Sequence, residues 1–290
     1  MSLRYILLGL SVPLIWGMGF VFAKAALANF SPILLMAFRF LVTALVLVWF
    51  VKPPAGIMWR LCLIALIAAA VQYSLTFTGL KGLDASTAVL VVQLEVPFIV
   101  MLGSIFLGEH VGWRKWAGIA AAFAGVMLIA GEPRLEGSYL AIAMVVGGAF
   151  TWAVGQVMAR SLGDIGGFTM IAWIAIFATP QLFVFSLIFE DNHMQQIADA
   201  DWVVWGAVVY MGVIMTALGY SIWYHLLGKF PVASVAPFLL LLPVFSIVAS
   251  VVFLDETLTV HAIIGAIIVM AGLAFIVVER WPWQARAANT

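Results

Sequence analysis

Charge is scarce in this chain. Only 9% of its 290 residues are Asp, Glu, Lys or Arg, and the 13 basic residues balance the 13 acidic ones, so no electrostatic case for a nucleic-acid partner arises. Cysteine is scarcer still. Cys62 stands alone in an apolar run, which excludes an internal disulfide and leaves the redox compartment unread. Missing too are the short motifs of enzymes: no His-Glu-x-x-His, no Gly-x-Ser-x-Gly, no Gly-x-x-x-x-Gly-Lys and no Cys/His cluster with metal spacing. The "GMG" at 17–19 is followed by Phe20 instead of the rest of a dinucleotide loop. No stretch is polar and long enough for a soluble nucleotide-binding domain, which excludes an ATP-driven pump. The expectation is a protein that is not an enzyme and holds no cofactor or metal.

What the chain has in abundance is apolar surface. Two thirds of it (66%) is hydrophobic and 12 residues are tryptophan, and the mean hydropathy is +1.18. A soluble domain of this size could not hide that from water. A membrane span needs roughly 20 mostly apolar residues. That window predicts ten, at 4–23, 32–51, 60–79, 85–107, 112–130, 137–158, 167–188, 202–226, 232–253 and 260–279. Only the segment 190–201 has room for a small element outside the membrane. Arg4 ahead of an apolar run resembles a signal peptide, but the run is long, carries Pro13 and Trp16, and leads at once into a second span.

Basic residues orient the spans. With the N-terminus in the cytoplasm, Arg4, Lys52, Arg60, Arg114, Lys115, Arg160, Lys229, Arg280 and Arg286 fall inside, against Lys24, Lys81 and Arg134 outside. Both termini are then cytoplasmic. Trp49, Trp59, Trp113, Trp116, Trp202, Trp205, Trp281 and Trp283 sit near span ends, as headgroup-level aromatic belts require.

The chain repeats itself. At a shift of 147, Leu107 matches Leu254, Glu109 matches Glu256, Gly118 matches Gly265 and Gly125 matches Gly272; at 136, Trp16 matches Trp152, Gly19 matches Gly155 and Lys24 matches Arg160. The extra length follows the seventh span. A five-helix unit occurs twice, 1–134 and 135–290, and because five is odd the second copy enters the membrane inverted. The predicted fold is an all-α integral membrane protein, ten transmembrane helices as two inverted five-helix repeats around a central cavity.

The segments "LIWGMGFVFAKAAL", "SPILLMAFRFLVTAL" and "FLGEHVGWRKWAGIAAAFAGVMLIAG" resemble the EamA-type repeats of the drug/metabolite transporter superfamily. Shared features are Trp16-Gly17, Lys24, Arg39-Phe40-Leu41 and Leu107-Gly108-Glu109. The second copy departs, with Ile174-Ala175 where the first has Arg39-Phe40. The resemblance implies a ten-helix exporter of small metabolites or drugs in the cytoplasmic membrane, and within the superfamily the chain is most similar to the YddG-type exporters of aromatic amino acids.

Candidate binding residues are the polar and aromatic ones at middle depth. Glu95 lies ten residues into the fourth span, about 15 Å deep. There a carboxylate either fastens helices, bonded to Gln93 or to carbonyls freed by Pro97, or lines the cavity and binds a cationic group of the substrate or exchanges a proton with it. Arg39 either snorkels to the outer interface or binds a carboxylate. Trp16 and Trp152 occupy equivalent positions in the two copies, and Tyr220, Trp223 and Tyr224 share one face of the eighth span. Gln72, Tyr73, Thr76, Gln93 and Gln156 could supply the few polar groups that orient a ligand in an apolar pocket. The partners expected are a small molecule, such as an amino acid, and the lipid bilayer. Ten spans can enclose a cavity without a second copy, so a monomer is expected. Alternatives are efflux of apolar cations, an intramembrane enzyme, which would need a second catalytic group beside Glu95, and a passive channel, which would show a polar ring through its full depth.

Overall fold

The structure, a computed structural model, describes residues 2–108, 111–162, 165–227, 229–230 and 235–277. The first two spans are α1 (Leu3–Ala26) and α2 (Pro32–Leu47). The third joins α3 (Met58–Ala65), a π-helical stretch (Leu66–Val71) and α4 (Gln72–Lys81). The fourth is broken into α5 (Ala85–Val92) and α6 (Glu95–Leu107). Next come α7 (Trp113–Ala130), α8 (Tyr139–Arg160) and α9 (Gly167–Phe189). The segment with room for an outside element holds the short helix α10 (His193–Asp199). The eighth span joins α11 (Trp202–Val209), a second π stretch (Tyr210–Leu218) and α12 (Gly219–Leu227). A 3₁₀ turn (Ala236–Leu241) precedes α13 (Leu242–Leu254), and α14 (Val260–Val277) is the last described span.

Among the described residues nine of these spans are long and apolar enough to cross a membrane. The remaining one, α7, has the same 18 residues as α14, but Arg114 and Lys115 in its first turn lower its average hydropathy. Large apolar side chains such as Leu187, Phe189, Ile105 and Phe253 point outward, 64–71% exposed, a surface that belongs against lipid. Trp49, Trp59, Trp113 and Trp202 are exposed at helix ends, as belts require. Trp205 is not: its ring packs edge-on against Phe30 and Phe38 at 5.3 and 5.0 Å. Trp281 and Trp283 lie outside the described residues.

The two halves share their irregularities as well as their helices. The third and eighth spans begin 144 residues apart (58 and 202), and so do their π stretches (66 and 210). The second segments of the broken spans begin 147 apart (95 and 242), and each ends on a left-handed residue, Gly108 at φ 67° and Asp255 at φ 53°. Asp is one of the few residues with a side chain that tolerates this conformation.

The seam between α7 and α14 is reciprocal. A Cβ on Gly118 would lie 2.6 Å from the Gly272 carbonyl oxygen, and one on Gly272 would lie 2.6 Å from that of Gly118; Gly125 and Gly265 face each other in the same way at 2.8 and 2.9 Å. Since 118 matches 265 and 125 matches 272, each glycine meets the repeat mate of the other glycine on its own helix, the pattern a two-fold relation produces. Backbones this close rely on dispersion, which drives helix association where lipid removes the hydrophobic contribution. Gly118→Ala is therefore expected to cost about 1–3 kcal/mol by overpacking. Gly206→Ala, with nothing within 4 Å of the new carbon, should be neutral or slightly stabilising. Thermal unfolding in detergent checks the ranking, and equal midpoints for the two variants would contradict the close seam.

Candidate functional site

Pro97 organises the break in the fourth span. It has no N–H to give the Gln93 carbonyl, which instead accepts from Val96 N at 3.2 Å, while Leu94 N reaches Val91 O at 3.1 Å. These are tighter i to i−3 bonds, and they let the chain change direction at Gln93 and Leu94. Glu95 opens α6 directly after this bend. Its carboxylate is half-buried and bonds to no described residue, neither Gln93 nor a backbone carbonyl. Gln93, and Gln156 on α8, are likewise half-buried with no side-chain bond to a described residue.

Aromatic rings gather on the eighth span. The Trp16 ring lies 4.9 Å from Tyr220 and 6.1 Å from Trp223, and its indole N–H donates to the Met215 carbonyl at 3.0 Å. Tyr224 is on the same helix, but its side chain falls outside the described ones. Trp152 joins no ring pair among the described residues. By the 144-residue relation the counterparts of Tyr220 and Trp223 are Thr76 and Gly79, so the two rings that flank Trp16 have no aromatic equivalents in the first half.

Arg39 is 1% exposed. Its guanidinium reaches across to the eighth span, with Nε 3.2 Å and Nη2 3.1 Å from Thr216 Oγ1, and Nη2 3.4 Å from Tyr73 Oη. The charge also sits 4.7 Å from the centre of the Tyr73 ring. Thr216 lies fourteen residues into its span from Trp202, about 20 Å by helical rise, so the Arg39 side chain turns into the bundle and does not snorkel toward the end at which α2 begins. Gln72 and Thr76 turn away from any open space. Gln72 Nε2 donates to Thr76 Oγ1 at 3.1 Å, both residues are buried, and Thr76 packs on Gly148 of α8. Thr216 escaped the sequence reading. Its signal was legible, because Thr216, Tyr220 and Trp223 stand at i, i+4 and i+7 on one face.

Comparison with known proteins fixes the family. The profile described as the EamA-like transporter family matches residues 3–131 and again residues 139–278. The chain belongs to the EamA-like transporter family. Two relatives are each called "Probable amino-acid metabolite efflux pump": that of Salmonella typhimurium is 32% identical over 276 residues, 92% of each chain, and that of Escherichia coli is 30% identical over 283 residues, 94% of each. A "Probable terminal-alkyne amino-acid exporter" of Streptantibioticus cattleyicolor is 29% identical over 204 residues, 68% of this chain and 66% of that one. A solved crystal structure, 19% identical and covering 99% of both chains, has a TM-score of 0.68, which shows the same fold.

In this EamA-like transporter, carboxylates close helix starts at one end of the bundle. Glu190 accepts from Ile33 N at 2.8 Å, Leu34 N at 2.9 Å, and the Ser31 and Ser186 hydroxyls at 2.9 and 2.7 Å. Glu256 accepts from Ala85 N at 2.6 Å and from Ser86 N and Oγ at 3.0 and 2.6 Å. Both carboxylates complement the positive helix N-terminus as well as its free N–H groups. Glu109, the repeat mate of Glu256, lies outside the described residues. Two basic residues at this end, Lys24 and Arg134, are occupied too. Lys24 Nζ takes the Leu80, Lys81 and Leu83 carbonyls at 3.0, 3.2 and 2.6 Å. Arg134 pairs with Asp84 at 2.9 Å and lies 3.1 Å from Glu132. Together Lys24, Lys81, Asp84 and Arg134 line an open polar cleft of ≈ 260 Å³ at the helix ends.

Proposed function

We propose that this chain exports amino acids with large apolar or aromatic side chains across a cytoplasmic-type inner membrane, by alternating access of two halves that meet at residues 134 and 135. The observation that carries the reading is Glu95, a half-buried carboxylate with no bond to a described residue, at the bend of a broken span. A carboxylate in the bilayer interior that fastens nothing has its natural partner in a cationic ligand group, here the ammonium of an amino acid. The rings of Trp16, Tyr220 and Trp223 offer the apolar side chain its surface. The names of the relatives support both the substrate class and the direction. Efflux of apolar cations fits less well, because it would bring positive charge toward a site that already holds Arg39. One copy is the working unit in this reading, and both termini are cytoplasmic.

Cells overexpressing the protein should release phenylalanine, tryptophan or methionine faster than controls, and reconstituted vesicles should show saturation and counterflow, which a channel lacks. Release equal to controls for all three would overturn the substrate class. The orientation is checked in the same cells with single cysteines at two exposed positions: Glu136→Cys should react with an impermeant maleimide from outside, and Ala55→Cys only after permeabilisation.

A further inference from the structure

Every other basic side chain whose contacts were described above is matched. Lys24 takes three carbonyls and Arg134 two carboxylates, and both sit at helix ends. Arg39 is different. It is 1% exposed and inside the bundle, and no carboxylate among the described residues pairs with it. A guanidinium has five N–H donors in a planar fork. Here the oxygens it meets are two hydroxyls only, with Thr216 Oγ1 shared by Nε and Nη2, and Tyr73 Oη at 3.4 Å; Nη1 faces the Met36 sulfur at 3.8 Å. Thr216 gives its own hydrogen to the Met211 carbonyl at 2.8 Å, so its lone pairs are left for Arg39. The donors are held in place, but the charge is not neutralised. Such a cation in an apolar interior is costly unless an anion completes it.

The surroundings say which anion. Thr216, which holds Arg39, is the residue next to Met215, whose carbonyl holds Trp16. Tyr220 follows four residues on, about 6 Å along the helix, and its ring and that of Trp223 flank Trp16. An anion at Arg39 is therefore about one side-chain length from an aromatic wall. The arrangement also occurs only once. The second copy has Ile174 where the first has Arg39, and the counterpart of Thr216 is Gln72, so the arginine is no fixture of the repeat.

We infer that Arg39 is the carboxylate anchor of the transported amino acid, its guanidinium exchanging a Thr216 contact for a two-oxygen contact with the substrate's carboxylate. The inference rests on the amino-acid reading proposed above. A guanidinium fork matches a carboxylate in a way a lysine ammonium cannot, so the site should select for an intact carboxylate and for arginine itself.

The test compares binding of phenylalanine with that of phenylalaninamide and phenethylamine, followed by tryptophan fluorescence of the purified protein in detergent, for wild type, Arg39→Gln and Arg39→Lys. Wild type should bind phenylalanine at least about 30-fold more tightly than either analogue, the scale of losing one partner of a buried charge pair. Arg39→Gln should bind all three alike, having lost phenylalanine alone, and Arg39→Lys should recover only part of the preference. Wild type that does not distinguish the three compounds overturns the anchor while leaving amino-acid export standing, and this comparison needs no variant to fold. A folded Arg39→Gln that keeps the preference also overturns it. If wild type binds none of the three and carries no amino acid in vesicles, the amino-acid reading falls, and the anchor with it.

Discussion

Glu95→Gln is expected to leave the protein folded and to lower amino-acid flux in vesicles by about 30-fold or more, the scale of removing one member of a desolvated charge pair. The two side chains have nearly the same size and the amide keeps the polarity, so the span inserts as before. What the variant lacks is the negative charge facing the substrate. A fastening role would give the opposite ranking: the glutamine variant transports normally, and Glu95→Leu loses about 1–3 kcal/mol because partner groups are left unsatisfied. The carboxylate has no bond to Gln93 or to a freed carbonyl among the described residues, so Glu95→Leu should unfold no lower than wild type. Flux and thermal midpoints of the two variants, measured together, separate the roles. Normal flux with glutamine would reject a charge-based role for Glu95.

Glu190→Ala should have its largest effect on stability. Its carboxylate accepts two backbone N–H groups at the start of α2 and two serine hydroxyls, and through Ser31 and Ser186 it ties the α1–α2 turn to the end of α9. Gln196 strengthens the tie by accepting from Ser31 N at 2.7 Å. Losing charge-assisted bonds to a helix terminus costs about 2–3 kcal/mol. Glu190→Gln should recover part of this, since an amide oxygen still accepts but carries no charge for the helix dipole. A melting curve for Glu190→Ala that superimposes on wild type would show that water replaces the carboxylate without loss.

The spans, the repeat and the family were legible in the sequence because each is a property of the chain read in order. Hydropathy is a sum over a window, and a fixed offset between Glu109 and Glu256 or Gly118 and Gly265 survives without knowing what either residue touches. The bend at Gln93 was legible in part, since Pro97 removes one donor wherever it stands. Local composition misled at Trp205, which is near a span end and yet packs on Phe30 and Phe38.

Facing was not legible, and it decides the site. A helix apolar all round carries no moment to say which side turns inward, so equal cases could be made for Gln72, Thr76, Tyr73 and Gln156. Packing separated them: Gln72 and Thr76 bond to each other against Gly148, whereas Tyr73 lies beneath the Arg39 guanidinium. The equivalence of Trp16 and Trp152 was correct as sequence and silent about neighbours, because the rings around Trp16 come from a span whose counterpart carries Thr76 and Gly79. The sequence by itself determined that Arg39 and Glu95 are charges inside a membrane, where each must be reconciled with a low dielectric. Only the tertiary structure decided that neither has an opposite charge beside it among the described residues, since the groups that could neutralise a side chain come from helices far away in the chain.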